Sequence, residues 1–268
     1  MPFIEHDGLR IDYTEEGSGP PAVLIHSSVS GNRQWKRLVQ DLKDRFRVIA
    51  VNLFGYGDTT PWMQPRPQTL ADQARLIEIL LAQSGEPAQV VGHSFGGAVA
   101  MKAAALLGKR ISRLVLLETN PFYLLRQEGR HEAYAEIEAI RDQVKKHGSQ
   151  GDWLGVAERF ADYWNGPGSW AAMPLERRVV FARAIAPNFH EWDAVMNEAT
   201  PLSGWSAITA RTLLVCGRAT ARPIVEIAEL LRSAFPLWEF ASIPEGGHMA
   251  PLTRPDLVNP VVRSFLLK

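Results

Sequence analysis

Residues 88–98, Ala-Gln-Val-Val-Gly-His-Ser-Phe-Gly-Gly-Ala, constrain this chain more than any other stretch. A short apolar run that reads as a buried strand leads straight into Gly-x-Ser-x-Gly. A segment of small, helix-forming residues, 98–107, leaves it. Strand, tight turn and helix in that order are what a nucleophile elbow requires: a serine on a strained turn, its hydroxyl held above a sheet. Gly92 and Gly96 flank the turn where a side chain would collide with strand or helix, and Gly97 lets the helix pack close. Ser94 is therefore expected in a sparsely populated backbone region that the surrounding core must hold. The bare pattern recurs by chance, so its context gives it its weight.

A chain of 268 residues can bury a substantial core, and such lengths often form one domain carrying an insertion. Lys plus Arg and Asp plus Glu each total 29. With no basic stripe or acidic tail, nucleic acid and anionic membrane are poor partners. The single cysteine, Cys216, excludes an internal disulfide framework and fits a reducing compartment. It lies in the apolar run 212–216 and reads as a small buried hydrophobe. From Met1 to Asp7 there is no basic region followed by an apolar core, so no secretory signal is expected. No apolar stretch is long enough for a membrane span, and Lys102 interrupts the longest candidate. A soluble cytoplasmic protein is the expectation.

Asp7-Gly8 between 3–5 and 9–15 predicts an antiparallel hairpin. Strands are expected at 22–25, 47–51, 88–93 and 113–118, with helices at 35–42, 70–83 and 98–107 among them. This alternation argues for a mostly parallel sheet covered on both faces. From Thr119 to about Ala210 the rhythm stops. Helical segments are expected at 132–146, 156–164 and 174–185, between loops rich in Gly and Pro. Five of the eight tryptophans fall here: Trp153, Trp164, Trp170, Trp192 and Trp205. The rhythm resumes with strand 212–216, helix 224–235, strand 238–243 and helix 255–267. One α/β domain interrupted by a helical insertion is the simplest organisation.

A serine hydroxyl needs a neighbouring base to act as a nucleophile. Of the seven histidines, His248 stands in a glycine-containing loop between the last strand and the last helix. Ligands in open α/β sheets gather at the carboxyl ends of strands, so this loop and the elbow open on one edge. His248 is thus the candidate base, against the alternative of a surface histidine in a mobile loop. His26 and His93 are read as structural, one bracing a strand end and the other pointing away from Ser94.

Four motifs now stand in order. They are Ile25-His26-Ser27-Ser28, Asn52-Leu53-Phe54-Gly55-Tyr56-Gly57, Gly92-His93-Ser94-Phe95-Gly96-Gly97 and Gly247-His248-Met249. Together they resemble those of the α/β-hydrolase family over nearly the whole length. The resemblance implies an eight-stranded, mostly parallel sheet flanked by helices, with a core of residues 1–120 and 211–268 and a helical cap at 121–210. It also implies Ser-acid-His hydrolysis, and with no metal-ligand spacing such as His-x-x-x-His or paired Cys and no phosphate-binding glycine loop in the sequence, neither a metal nor a cofactor is expected.

The acid is where the chain departs from that pattern. The commonest family position, in Gly217-Arg218-Ala219-Thr220, holds Thr220 instead of Asp. Some members place the acid one strand earlier, where Glu118 stands, and the order Ser94, Glu118, His248 keeps that of the fold. The alternative is that there is no acid of this kind. By the same resemblance the oxyanion donors are the backbone N–H groups of Phe95 and Ser28, with Ser27 replacing the usual glycine. Phe54, Phe122 and Tyr123, with Ser27, are expected near a substrate pocket. The tryptophans of the insertion are expected chiefly to hold it in place, with one or two of them lining the pocket beside Phe122, Tyr123 and Phe54, and Arg126, Arg130 and Arg141 to form a solvated face.

The expected reaction is cleavage of a small, fairly apolar ester or lactone through an acyl-enzyme. The rivals on the same residues are C–C bond hydrolysis of a diketone-like substrate and perhydrolysis of the haloperoxidase type. Dehalogenase and epoxide hydrolase chemistry would need Asp at the elbow. A non-catalytic ligand-binding protein on the same scaffold is the rival from another class, supported by Thr220 and Ser27. Oligomeric state is left open.

Overall fold

The computed structural model describes residues 2–82 and 84–268. Met1 and Gln83, the ends of the N-terminal stretch and of the helix expected at 70–83, lie outside them.

The strands are β1 (Phe3–His6), β2 (Leu9–Glu16), β3 (Pro21–Ile25), β4 (Arg47–Val51), β5 (Ala88–His93), β6 (Ile111–Leu117), β7 (Arg211–Gly217) and β8 (Glu239–Ile243). They form one eight-stranded sheet in the order β1-β2-β4-β3-β5-β6-β7-β8. The pairs β1–β2 and β2–β4 are antiparallel; the rest are parallel. Parallel neighbours need a crossover, and helices supply it: α1 (Lys36–Leu42), α2 (Leu70–Leu81) and α3 (Phe95–Leu107) before β6, α10 (Arg222–Ala234) between β7 and β8. The chain closes with α11 (Ala250–Thr253) and α12 (Pro255–Leu267).

The central strands β3 to β7 are largely buried on both faces, and their period-two alternation divides their side chains between two cores. Val23, Ile25 and Val90 join the cluster under α2, α3 and α10. Ala22, Leu24 and Val91 join the one under α1 and α12, with Trp35, Leu42, Val262 and Phe265. This is why the strand sequences read as continuous apolar runs. At α2 a capping box sets the start: the Thr69 side chain accepts from the Asp72 N–H, and Asp72 accepts from the Thr69 N–H.

Between β6 and β7 the sheet pattern is suspended. The chain forms α4 (Tyr123–Gln127), α5 (His131–Ser149), α6 (Trp153–Asn165), α7 (Ser169–Ala172), α8 (Leu175–Ala184) and α9 (Asn188–Met196). Sequence periodicity anticipates α5, α6 and α8, but not α4, α7 or α9. Two boundaries shift in ways that matter for the site. Helix α3 begins at Phe95 and not at 98, so the elbow turn consists of Ser94 alone. Strand β6 ends at Leu117, leaving Glu118 just beyond it with φ +51°.

Candidate active site

Ser94 joins β5 to α3 with φ 54° and ψ −118°, a region that a non-glycine residue rarely enters. The backbone around it fixes this conformation. The Ser94 N–H donates to Leu117 O at 2.9 Å, and Ser94 O accepts from the N–H groups of Gly97 and Ala98 at 2.9 and 3.2 Å. The flanking glycines have no alternative. A Cβ on Gly92 would overlap the Gly96 carbonyl, and one on Gly96 would overlap the carbonyls of Ile25 and His26. Strand β3 therefore approaches the elbow to backbone contact.

The structure brings His248 and Glu118 to this serine. The distance from Ser94 Oγ to His248 Nε2 is 2.9 Å, and from His248 Nδ1 to Glu118 Oε2 it is 3.4 Å. All three residues are buried. Thr220 occupies the loop after β7 and donates its hydroxyl to Glu118 Oε2 at 2.5 Å, while Glu118 Oε1 accepts from the Gly217 N–H. A hydroxyl donor after β7 thus holds the carboxylate after β6. The Trp164 ring of α6 stacks on the face of the His248 imidazole, with centroids 4.0 Å apart.

The other two histidines brace this arrangement. His93 Nε2–H donates to the His248 carbonyl at 2.8 Å, and its Nδ1 accepts from Gln34 at 3.1 Å. His26 Nε2 accepts from the Leu53 N–H at 3.1 Å, and its Nδ1–H donates to Ser27 O at 2.7 Å. Burial pushes the pKa of His26 down to about 4 and that of His93 well below the usual range. Both rings are neutral, and their two hydrogen bonds require that.

Ser94 opens on a cavity of about 10 Å³, lined by Ser28, Phe95, Asn120, Phe122, Phe160, Trp164, Asn188, Glu191, Trp192 and Val195. As the first residue of α3, Phe95 has no acceptor for its N–H within the helix. Asn120 Nδ2 stands 3.4 Å from Ser94 Oγ. Three of the expected pocket residues lie elsewhere. Ser27 turns its hydroxyl to Ser30 and Gln34, both at 2.8 Å. Phe54 packs edge-on against Trp62. Tyr123 donates to Thr200 O at 2.6 Å and accepts from Trp205 Nε1 at 2.8 Å, anchoring the insertion. Only Phe122 of that group faces the cavity.

Sequence reasoning missed Asn120, Trp164 as a partner of His248, and above all Glu191. Glu191 is 2% exposed. It accepts from Ser28 Oγ at 2.5 Å, Tyr56 OH at 2.8 Å and Asn188 Nδ2 at 2.9 Å. Burial raises its pKa, and these three hydrogen bonds oppose the rise. A signal was present: residues 188, 191, 192 and 195 have helical spacing, but two of them are polar.

Comparison with known proteins places this geometry in context. The model described as the alpha/beta hydrolase family matches residues 22–261. Lipase LipV of Mycobacterium tuberculosis is 29% identical over 93% of this chain and 94% of its own. A pimeloyl-acyl-carrier-protein methyl ester esterase of Aliivibrio salmonicida is 28% identical over 65% of this chain and 62% of that protein, less than two thirds of its length. The crystal structure of MGS-M2, an alpha/beta hydrolase enzyme from a Medee basin deep-sea metagenome library, superposes with a TM-score of 0.82. It does so at 17% identity, over 100% of this chain and 98% of that one.

Proposed function

The chain belongs to the alpha/beta hydrolase family, and from that premise we propose that it cleaves a small, fairly apolar carboxylic ester or lactone through an acyl-enzyme on Ser94. One observation carries the reading: the line from Ser94 Oγ through His248 to Glu118, at 2.9 and 3.4 Å. His248 Nε2 takes the hydroxyl proton as Oγ attacks the carbonyl carbon. Nδ1–H stays directed at Glu118, whose carboxylate fixes the tautomer and stabilises the imidazolium. The Trp164 face over that ring adds a cation–π attraction once the ring is charged.

The negative charge that develops on the carbonyl oxygen is met by the N–H groups of Phe95 and Ser28. Each such donor is worth about 3–4 kcal/mol of barrier. The imidazolium returns its proton to the departing alkoxide, and His248 then activates a water that clears the acyl group from Ser94. Phe122, Phe160, Trp164, Trp192 and Val195 give the cavity apolar walls, which favours an apolar acyl or alcohol part. The names of LipV and the methyl ester esterase agree with ester cleavage. Residues 1–120 and 211–268 form the core in this reading, and 121–210 act as a cap that supplies much of the wall.

A fluorophosphonate probe tests the proposal. Adduct mass located at Ser94, its loss in Ser94→Ala and hydrolysis of nitrophenyl esters by the wild type are the expected results. A folded wild-type protein that neither labels nor cleaves would overturn it.

A further inference from the structure

We propose that Glu191, carried by α9 of the insertion, is a positioning residue for the oxyanion hole: it holds the Ser28–Val29 backbone in the shape that aims the Ser28 N–H at the reacting carbonyl. The inference rests on the reading of Ser28 as an oxyanion donor given above.

The two oxygens of Glu191 address two successive residues of the loop after β3. Oε2 accepts from the Ser28 hydroxyl at 2.5 Å. Oε1 accepts from the Tyr56 hydroxyl at 2.8 Å, and the Tyr56 oxygen in turn accepts from the Val29 N–H at 3.0 Å. Carboxylate, phenol and amide form a chain that ends on the residue next to the proposed donor. That residue is under strain. Val29 has φ +68°, a conformation that its branched side chain opposes, so something must over-determine it. Glu191 and Tyr56 do so from within the site.

The carboxyl is itself locked. Asn188 Oδ1 accepts from Trp192 Nε1 at 2.8 Å, which turns its Nδ2 toward Glu191 Oε2 at 2.9 Å. Tyr56, Ser28 and Asn188 are all neutral donors, and between them they engage both oxygens. This is a brace and not an open binding group, because a carboxylate left free for substrate would not be spent on three protein donors. On the far side of the loop, Gln34 accepts from the Ser27 N–H at 3.0 Å and from its hydroxyl at 2.8 Å. The loop that lacks the usual glycine at 27 is thus tied down from both sides, by the core at Ser27 and by the insertion at Ser28.

The test compares Glu191→Ala, Glu191→Gln and Tyr56→Phe in the full chain on a nitrophenyl ester. Rates are expressed per site titrated with fluorophosphonate, so that misfolded protein does not count. Weakening one oxyanion donor predicts a fall in kcat of about 30-fold or more for Glu191→Ala, with KM within about twofold. A parallel loss of affinity is expected for a trifluoromethyl ketone, whose hemiketal oxygen occupies the hole. Glu191→Gln, which keeps a carbonyl acceptor, loses less than about tenfold, and Tyr56→Phe falls between the two. If Glu191→Ala does not fold, the two milder variants carry the test. An unchanged kcat per titrated site, or a fall in kcat without the parallel loss of ketone affinity, overturns the inference while leaving the Ser94 reading intact. A wild-type protein that never labels overturns both.

Discussion

Glu118 reaches His248 from the end of β6, and its hold depends on what stands after β7. Its two oxygens accept from the Gly217 N–H and the Thr220 hydroxyl, so the carboxylate is aimed before the imidazole needs it. If Glu118 is the acid, Glu118→Gln lowers kcat by about 10³-fold or more, because an amide supports the wrong tautomer. Thr220→Val removes one hydrogen bond to a charged group and costs about tenfold or less. Steady-state kinetics of both variants check this, and equal losses would overturn the division of roles. Motif and chain order point to Ser94, Glu118 and His248 in the sequence, and the structure brings these three side chains together. The hydroxyl of Thr220 could be read only as a missing acid, since its partner lies 102 positions away. Ser27 and Tyr123 were misplaced for a simpler reason. Each sits beside a cavity residue, Ser28 or Phe122, but neighbouring side chains on a loop or helix face different ways.

At the level of elements, strands and long helices were legible because their burial is apolar and periodic. Helix α9 was not. Its inward face is Asn188, Glu191, Trp192 and Val195, the spacing of an amphipathic helix with two polar residues where apolar ones are expected. Those residues line the cavity beside Ser94, and the two polar ones break the apolar pattern that would have revealed the helix. The same insertion closes the cavity. A volume of about 10 Å³ holds roughly one water molecule, and the Trp164 ring takes up the space over His248. Trp164→Ala therefore enlarges the cavity, which is the acyl site if the proposed ester cleavage holds. Across a series of nitrophenyl esters from acetate to octanoate, kcat/KM is expected to shift toward the longer chains by about tenfold relative to acetate. An unaltered chain-length profile would show that Trp164 does not limit the site.

For the molecule as a whole, two cores on opposite faces of one sheet carry the stability, and buried neutral histidines make it depend on pH. His26 binds a proton near pH 6.5 when unfolded, but only near about 4 when folded. Between those values the unfolded state holds more protons, so folding weakens as pH falls. From His26 alone, the loss across the window is about 3 kcal/mol, and His93 acts in the same direction. Glu191 works oppositely just above its usual value, where the folded protein keeps a proton that the unfolded chain has released. The urea midpoint is expected to be lower at pH 5 than at pH 7; an equal or higher midpoint at pH 5 would refute the histidine account. The meeting of Glu118 and Thr220 beside one imidazole also bears on descent. Strands β6 and β7 are paired neighbours, and the side chains beyond their ends already touch. Asp at 220 would place a second carboxylate there, and the pair would share a proton while either one served. If Glu118 is the acid, the role could pass between positions 118 and 220 with a carboxylate beside His248 at every step.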